Sequence, residues 1–128
     1  MVKVVVDSSV LIEKMRMVKN CFYDKLVELQ SNGKVDLLIS VIVIAELWTG
    51  DSMNQKVKIE SAETLIKHLR RIVVNEDISK LAGEIMRKHK IQGMDALIVA
   101  SALESEAELA TLNTKHFVNV KGLKLYHV

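Results

Sequence analysis

Val2-Lys3-Val4-Val5-Val6-Asp7-Ser8-Ser9-Val10-Leu11-Ile12 is the stretch on which the fold turns. Its first half, Val2 to Asp7, is short, β-branched and almost wholly apolar, the pattern of a buried strand. The strand runs out on Asp7, and a brief helix is expected from Ser9 to about Met17. The same alternation repeats downstream. Phe22, Leu26, Val27 and Leu29 have helical spacing within Asn20 to Ser31, and Asn32-Gly33 is a natural stop. Asp36 to Ser40 reads as a second strand. Val41-Ile42-Val43-Ile44 favours strand by propensity, but Ser40 is a good N-cap and Ala45-Glu46-Leu47 favours continuation, so Val41 to Thr49 is expected to be helical, closed by Gly50.

Beyond Gly50 the sequence predicts a polar-rich helix over Met53 to His68 and a third strand over Arg71 to Val74. Asp77 to His89 forms an amphipathic helix on Ile78, Leu81, Ala82, Ile85 and Met86. Asp95 to Glu104 is apolar on nearly every face, which makes it a central helix. Glu108 to Thr111 and Leu123 to Tyr126 complete the set as short strands. Strands alternating with helices, through connections long enough for crossovers, specify an α/β fold with a mainly parallel sheet.

The chain has 128 residues, which suits a single domain over 1–128. Apolar residues make up 49%, enough for a core and too many for a disordered chain. No apolar run is long enough to span a bilayer, so no membrane role is expected. No charged-then-apolar leader precedes the first strand, which reads as cytoplasmic. The lone Cys21 supports neither an internal disulfide nor a thiolate metal cluster, and reads as packing within a helix. A net charge of +2 tolerates a polyanionic partner without announcing one. Basic residues fall into local groups: Lys67, His68, Arg70, Arg71; Arg87, Lys88, His89, Lys90; and Lys115, His116, Lys121, Lys124. Most such runs are solvated helix ends and faces.

Three acidic residues break this picture. Asp7 ends the first strand, Glu46 interrupts Val41 to Trp48, and Asp95 opens Met94-Asp95-Ala96-Leu97-Ile98-Val99. A carboxylate in apolar company is costly to desolvate unless something pairs with it. Each has an ordinary explanation: Asp7 as an N-cap, Glu46 on a wet helix face, Asp95 in a first turn favoured by the helix dipole. Jointly they call for a shared partner, and a hard divalent cation bound through oxygen is the simplest. All three can converge at the carboxyl edge of the sheet, where α/β folds bind ligands. Ser9 and Asn113 are placed to orient a water or one of the carboxylates.

Rival chemistries are poorly served. No GxGxxG or GxxxxGK[ST] loop is present to cradle phosphates. Asp7-Ser8-Ser9 lacks the Asp-x-Asp pair of a haloacid-dehalogenase-type phosphatase, and no acidic pair accompanies Asp7 as in a receiver domain. The histidines lack zinc-ligand spacing, and His116 and His127 read as surface or supporting residues.

The four stretches VVVDSSVLI, SVIVIAELWTG, GMDALIVASAL and ELATLNTKHF, in this order, resemble the motifs of the PIN-domain ribonucleases, specifically the VapC-like toxins of prokaryotic toxin–antitoxin pairs. The resemblance covers nearly the whole chain. It implies a three-layer α/β/α domain and Mg²⁺- or Mn²⁺-dependent cleavage of RNA by a metal-activated water. It assigns the metal to Asp7, Glu46 and Asp95, with Asn113 at the position often taken by a fourth acidic residue. It also implies a homodimer and a small antitoxin whose C-terminal segment covers the site. Two departures stand out: Asn113 itself, and Gln92-Gly93 where many relatives have a Pro. Lys115 and the basic residues near Arg70 are further candidates for contacting RNA backbone. The alternatives from other classes are a PIN-like module that binds RNA or protein without cutting, and an RNA-processing nuclease outside any toxin pair.

Overall fold

The computed structural model describes all 128 residues. Four strands form one all-parallel sheet: β1 (Val2–Val6), β2 (Val35–Ser40), β3 (Arg70–Ile72) and β4 (Glu108–Ala110), in the order β3-β2-β1-β4. From β1 the chain steps outward to β2 and β3, then returns to lay β4 on the other side of β1. The order reverses at β1, and the crevice beyond the carboxyl ends of β1 and β4 is where such sheets place ligands. Register runs Val2↔Val35 to Val5↔Leu38 on one side and Val4↔Glu108 to Val6↔Ala110 on the other.

Helices flank the sheet in a three-layer arrangement. The chain order is α1 (Ser8–Met15), α2 (Phe22–Ser31), α3 (Val41–Trp48), α4 (Lys56–Ile66), α5 (Glu76–His89), α6 (Gly93–Glu104) and a short α7 (Thr114–Phe117). Val4, Val5 and Val6 are fully buried, as a central parallel strand covered on both faces requires. Half of α6 is buried, including Ala96, Ile98, Val99 and Ala100, and α5 packs along it. The apolar stretch after Ser40 is helical as expected, and the Ser40 hydroxyl accepts a hydrogen bond from the Ile42 N–H at 3.4 Å.

Three expectations are corrected. The helix expected over Met53 to His68 is divided: a 3₁₀ turn spans Asp51–Asn54, extended backbone at Gln55 breaks it, and α4 starts at Lys56. Leu123 to Tyr126 is not a strand. It makes a single parallel bridge, Leu109 to Leu125, in which the Leu109 N–H donates to the Lys124 carbonyl and the Tyr126 N–H to the Leu109 carbonyl. Cys21 lies at the N-cap position of α2, not inside a helix, though it is buried in the core.

One backbone feature stands out near the crevice. α5 ends on Lys90, whose φ of 52° and ψ of 41° lie in the left-handed region, with its N–H bonded to the Met86 carbonyl. A side chain in that conformation costs roughly 1–2 kcal/mol relative to the right-handed one, and glycine is the usual occupant.

Candidate active site

β1 delivers Asp7 to the crevice. Its N–H bonds to the Ala110 carbonyl at 3.0 Å, which ties the end of β1 to the end of β4. Asp7 holds the N-cap position of α1, yet its carboxylate caps nothing. Oδ2 instead accepts the Thr111 hydroxyl at 2.7 Å and the Ser9 hydroxyl at 2.8 Å. Both hydroxyls are held from behind as well. The Leu112 N–H donates to Ser9 Oγ at 2.9 Å and the Asn113 N–H donates to Thr111 Oγ1 at 3.0 Å, which leaves each hydroxyl its own proton to donate to Asp7, and the two hydroxyl oxygens lie 3.3 Å apart. Asp7 is only 3% exposed, and this network satisfies its Oδ2.

Glu46 reaches the same region from α3. Its Oε1 is buried and has no hydrogen-bond partner. Burial pushes its carboxyl above the usual range; the charge of Asp7 pushes further in the same direction, the Ser8 hydroxyl opposes, and the charge of Asp95 adds to the rise. Asp95 stands in the first turn of α6, raised by burial and then by Asp7, and pulled back by His116. The His116 Nδ1 lies 3.5 Å from Asp95 Oδ2. Asp7 is felt by both other carboxyls, so the fold does gather the three acidic residues. The cluster is loose: as the side chains stand, no three or more His, Cys, Asp or Glu residues are grouped closely enough to hold a metal ion, so binding one would require the carboxylates to draw together. The donors are all hard oxygens, one of them buried without a partner. That chemistry suits a divalent cation that keeps part of its water shell.

Ser9 is therefore in the cluster. Asn113 is at its rim: exposed, at the N-cap position of α7, with no capping bond from its side chain, and engaged through its backbone N–H. His116, read from sequence as a supporting residue, is the partner of Asp95. Arg70 and Arg71 are otherwise employed. Arg70 pairs with Asp36, and Arg71 donates to the carbonyls of Ile66 and Leu69 at 2.6 Å each. They lie on β3, the far edge of the sheet from β4, and are not candidates for contacting a ligand at the crevice.

Two features escaped the sequence reading. Thr111 is an anchor of Asp7, and its only sequence signal was a polar residue at the end of an expected short strand. Ser40 and Ser101, both fully buried, hydrogen-bond at 2.9 Å and link the start of the helix carrying Glu46 to the helix carrying Asp95.

A parallel sheet with carboxylates gathered at its switch point defines the class, and comparison with known proteins places it. Residues 4–123 match the PIN domain family model, and the chain belongs to the PIN-domain family. It is similar to Ribonuclease VapC10 of Mycobacterium tuberculosis, 35% identical over 126 residues, covering 94% of this chain and 90% of the relative. Ribonuclease VapC19 of the same organism is 30% identical over 97 residues, 72% of this chain and 74% of the relative. Among solved structures, VapBC2 from Rickettsia felis bound to a DNA fragment from its promoter superposes with a TM-score of 0.84 at 24% identity, covering 97% of both chains. DNA-bound VapBC from Salmonella typhimurium gives 0.79 at 19% identity, covering 98% of both.

Proposed function

We propose that the chain is a metal-dependent endoribonuclease and the toxin of a toxin–antitoxin pair. The observation that carries the reading is the Glu46 oxygen, buried and partnerless beside Asp7 and Asp95, whose charges add to the rise of its pKa. An arrangement that is electrostatically unfavourable when empty is relieved by a cation. Membership of the PIN-domain family and similarity to two VapC ribonucleases support RNA as the substrate.

Asp7, Glu46 and Asp95 would hold the ion. When bound, a divalent cation supplies a water of lowered pKa and charge to stabilise phosphate oxygens. Asp7, locked by Ser9 and Thr111, is the fixed point of the cluster. Glu46 and Asp95, whose carboxyls burial and neighbouring charge raise, would complete the oxygen set that holds the ion and its waters. Asn113 at the rim would orient the water or the strand. Mg²⁺ or Mn²⁺ fits the oxygen donor set. The VapBC structures support a small antitoxin as partner. A homodimer and a cytoplasmic location belong to the same proposal; no helix is long and apolar enough to cross a membrane.

The test is cleavage of a mixed cellular RNA pool by antitoxin-free protein in Mg²⁺, Mn²⁺ or EDTA, beside Asp95→Asn. Metal-requiring cleavage is expected, lost in the variant while its melting temperature stays close to wild type. Full activity in Asp95→Asn would remove Asp95 from the machinery. A folded wild type that cuts nothing in either metal would favour a module that binds RNA or protein without cutting.

A further inference from the structure

Two of the basic groups that read as solvated faces are far apart in sequence and adjacent in the fold. His89 at the end of α5, and Lys90 and Gln92 from the connection to α6, line one shallow pocket with Asp95 and with His116 of α7. Asp95 is an edge of the carboxylate cluster, so this pocket opens directly from the proposed cleavage centre.

Lys90 is the residue that needs an explanation. It occupies the left-handed C-cap of α5, where glycine would be unstrained. Its side chain is exposed and takes part in none of the ion pairs of the structure, so no contact within the chain offsets the strain. Complementing the helix dipole does not require it either, because Arg87, Lys88 and His89 already fill the last turn. Met17, Asn20 and Glu106 share this positive φ, but of the four only Lys90 lines the pocket with Asp95, and a cation there without an internal partner is suited to an anion brought in from outside.

We propose that Lys90, with His89 and Gln92 beside it, binds a backbone phosphate of the RNA strand next to the scissile one. The strand then crosses from the α5–α6 connection over Asp95 toward α7. This rests on the nuclease reading and adds the path of the substrate. Lysine meets phosphate as a point charge, so the contact fixes position and carries no base preference.

The experiment uses a fluorescein-labelled single-stranded RNA oligonucleotide. Binding is measured in EDTA over a series of salt concentrations, and cleavage in Mg²⁺, for wild type, Lys90→Gly, Lys90→Gln and Lys90→Arg. Lys90→Gly should melt at or above the wild-type temperature, because it releases the strain. It should nonetheless bind RNA several-fold more weakly, with a salt slope shallower by about 0.7, the value for one lost contact to a single strand. KM should rise by a similar factor while kcat stays within about twofold, and Lys90→Arg should keep the slope. If wild type cuts RNA and both Lys90→Gly and Lys90→Gln match it in affinity and slope, the inference is overturned and the nuclease reading stands. Weaker binding that merely tracks a lower melting temperature overturns it as well. An unchanged RNA slope with a weakened hold on co-expressed antitoxin would assign the pocket to the protein partner instead. A wild type that neither binds nor cuts RNA removes both readings together.

Discussion

At the junction of β1 and β4, Asp7 is nearly fully buried and receives two hydroxyl protons on one oxygen. On α3, Glu46 presents a buried oxygen that no donor reaches. The two carboxylates belong to one cluster, yet one has an oxygen anchored by two hydroxyls of the chain and the other has a buried oxygen with no partner. The difference separates two tasks that burial alone does not distinguish. A hydrogen-bonded carboxylate is held in place and keeps its position whether or not a ligand is present. An unsatisfied one destabilises the empty protein and is relieved by whatever binds, which couples occupancy to stability.

The largest effect that tests this contrast is at Asp7. Asp7→Asn should lower RNA cleavage by more than about a hundredfold, the upper end for losing even a residue that only supports a ligand. It should also cost about 1–3 kcal/mol in urea unfolding, because Ser9 and Thr111 lose their ionised acceptor. A stable, active variant would show that Asp7 is not the fixed point.

Next in size is Thr111→Val, nearly isosteric, which removes one donor to Asp7 and leaves the Asn113 N–H unpaired. Cation affinity, measured by calorimetry, should fall by about 10- to 100-fold. Ser8→Ala, next to Glu46, should leave it within a few-fold if only the Asp7 side is fixed by hydroxyls.

Glu46→Gln should do the opposite to stability. In EDTA at neutral pH its melting temperature should rise by about 4 °C, the shift for roughly 1 kcal/mol in a domain of this size. The pH dependence follows from the raised carboxyls. Their ordinary values are 4.5 for Glu46 and 3.8 for Asp95, and the folded chain retains protons above these values that the unfolded chain has lost. Stability contributed by the protonated groups is full below those values, declines as pH rises through the raised ones, and is gone beyond them. The wild-type minus Glu46→Gln difference in melting temperature should follow this decline in EDTA and flatten in Mg²⁺. A difference independent of both pH and metal would refute the coupling. The smallest effect is at the rim, where Asn113→Asp adds a carboxylate in the open and should tighten half-saturation by Mn²⁺ only a few-fold.

The sequence made the acidic residues legible because each interrupts an apolar run, and burial of a charge is a signal independent of distance along the chain. The helix at Val41–Trp48 was also legible despite its strand-like composition, since the Ser40 cap acts within two residues. Thr111 was not, because its partner lies 104 positions away and a polar residue after a strand has many ordinary roles. The Ser40–Ser101 link was hidden for the same reason, at a separation of 61. Leu123 to Tyr126 misled because strand propensity cannot show that only one residue of the neighbouring strand, Leu109, pairs with it. Arg70 and Arg71 looked available for a ligand because nothing local reveals the carboxylate and carbonyls that occupy them.

The bond from Thr111 to Asp7 also sets a timetable. A ribosome releases the chain from its amino end, so Asp7, Glu46 and Asp95 all emerge before the segment that anchors the first of them. β4 cannot dock beside β1 until most of the protein has been made. The proposed cutting centre would therefore be completed last, its Thr111 anchor arriving only after the three carboxylates have been made.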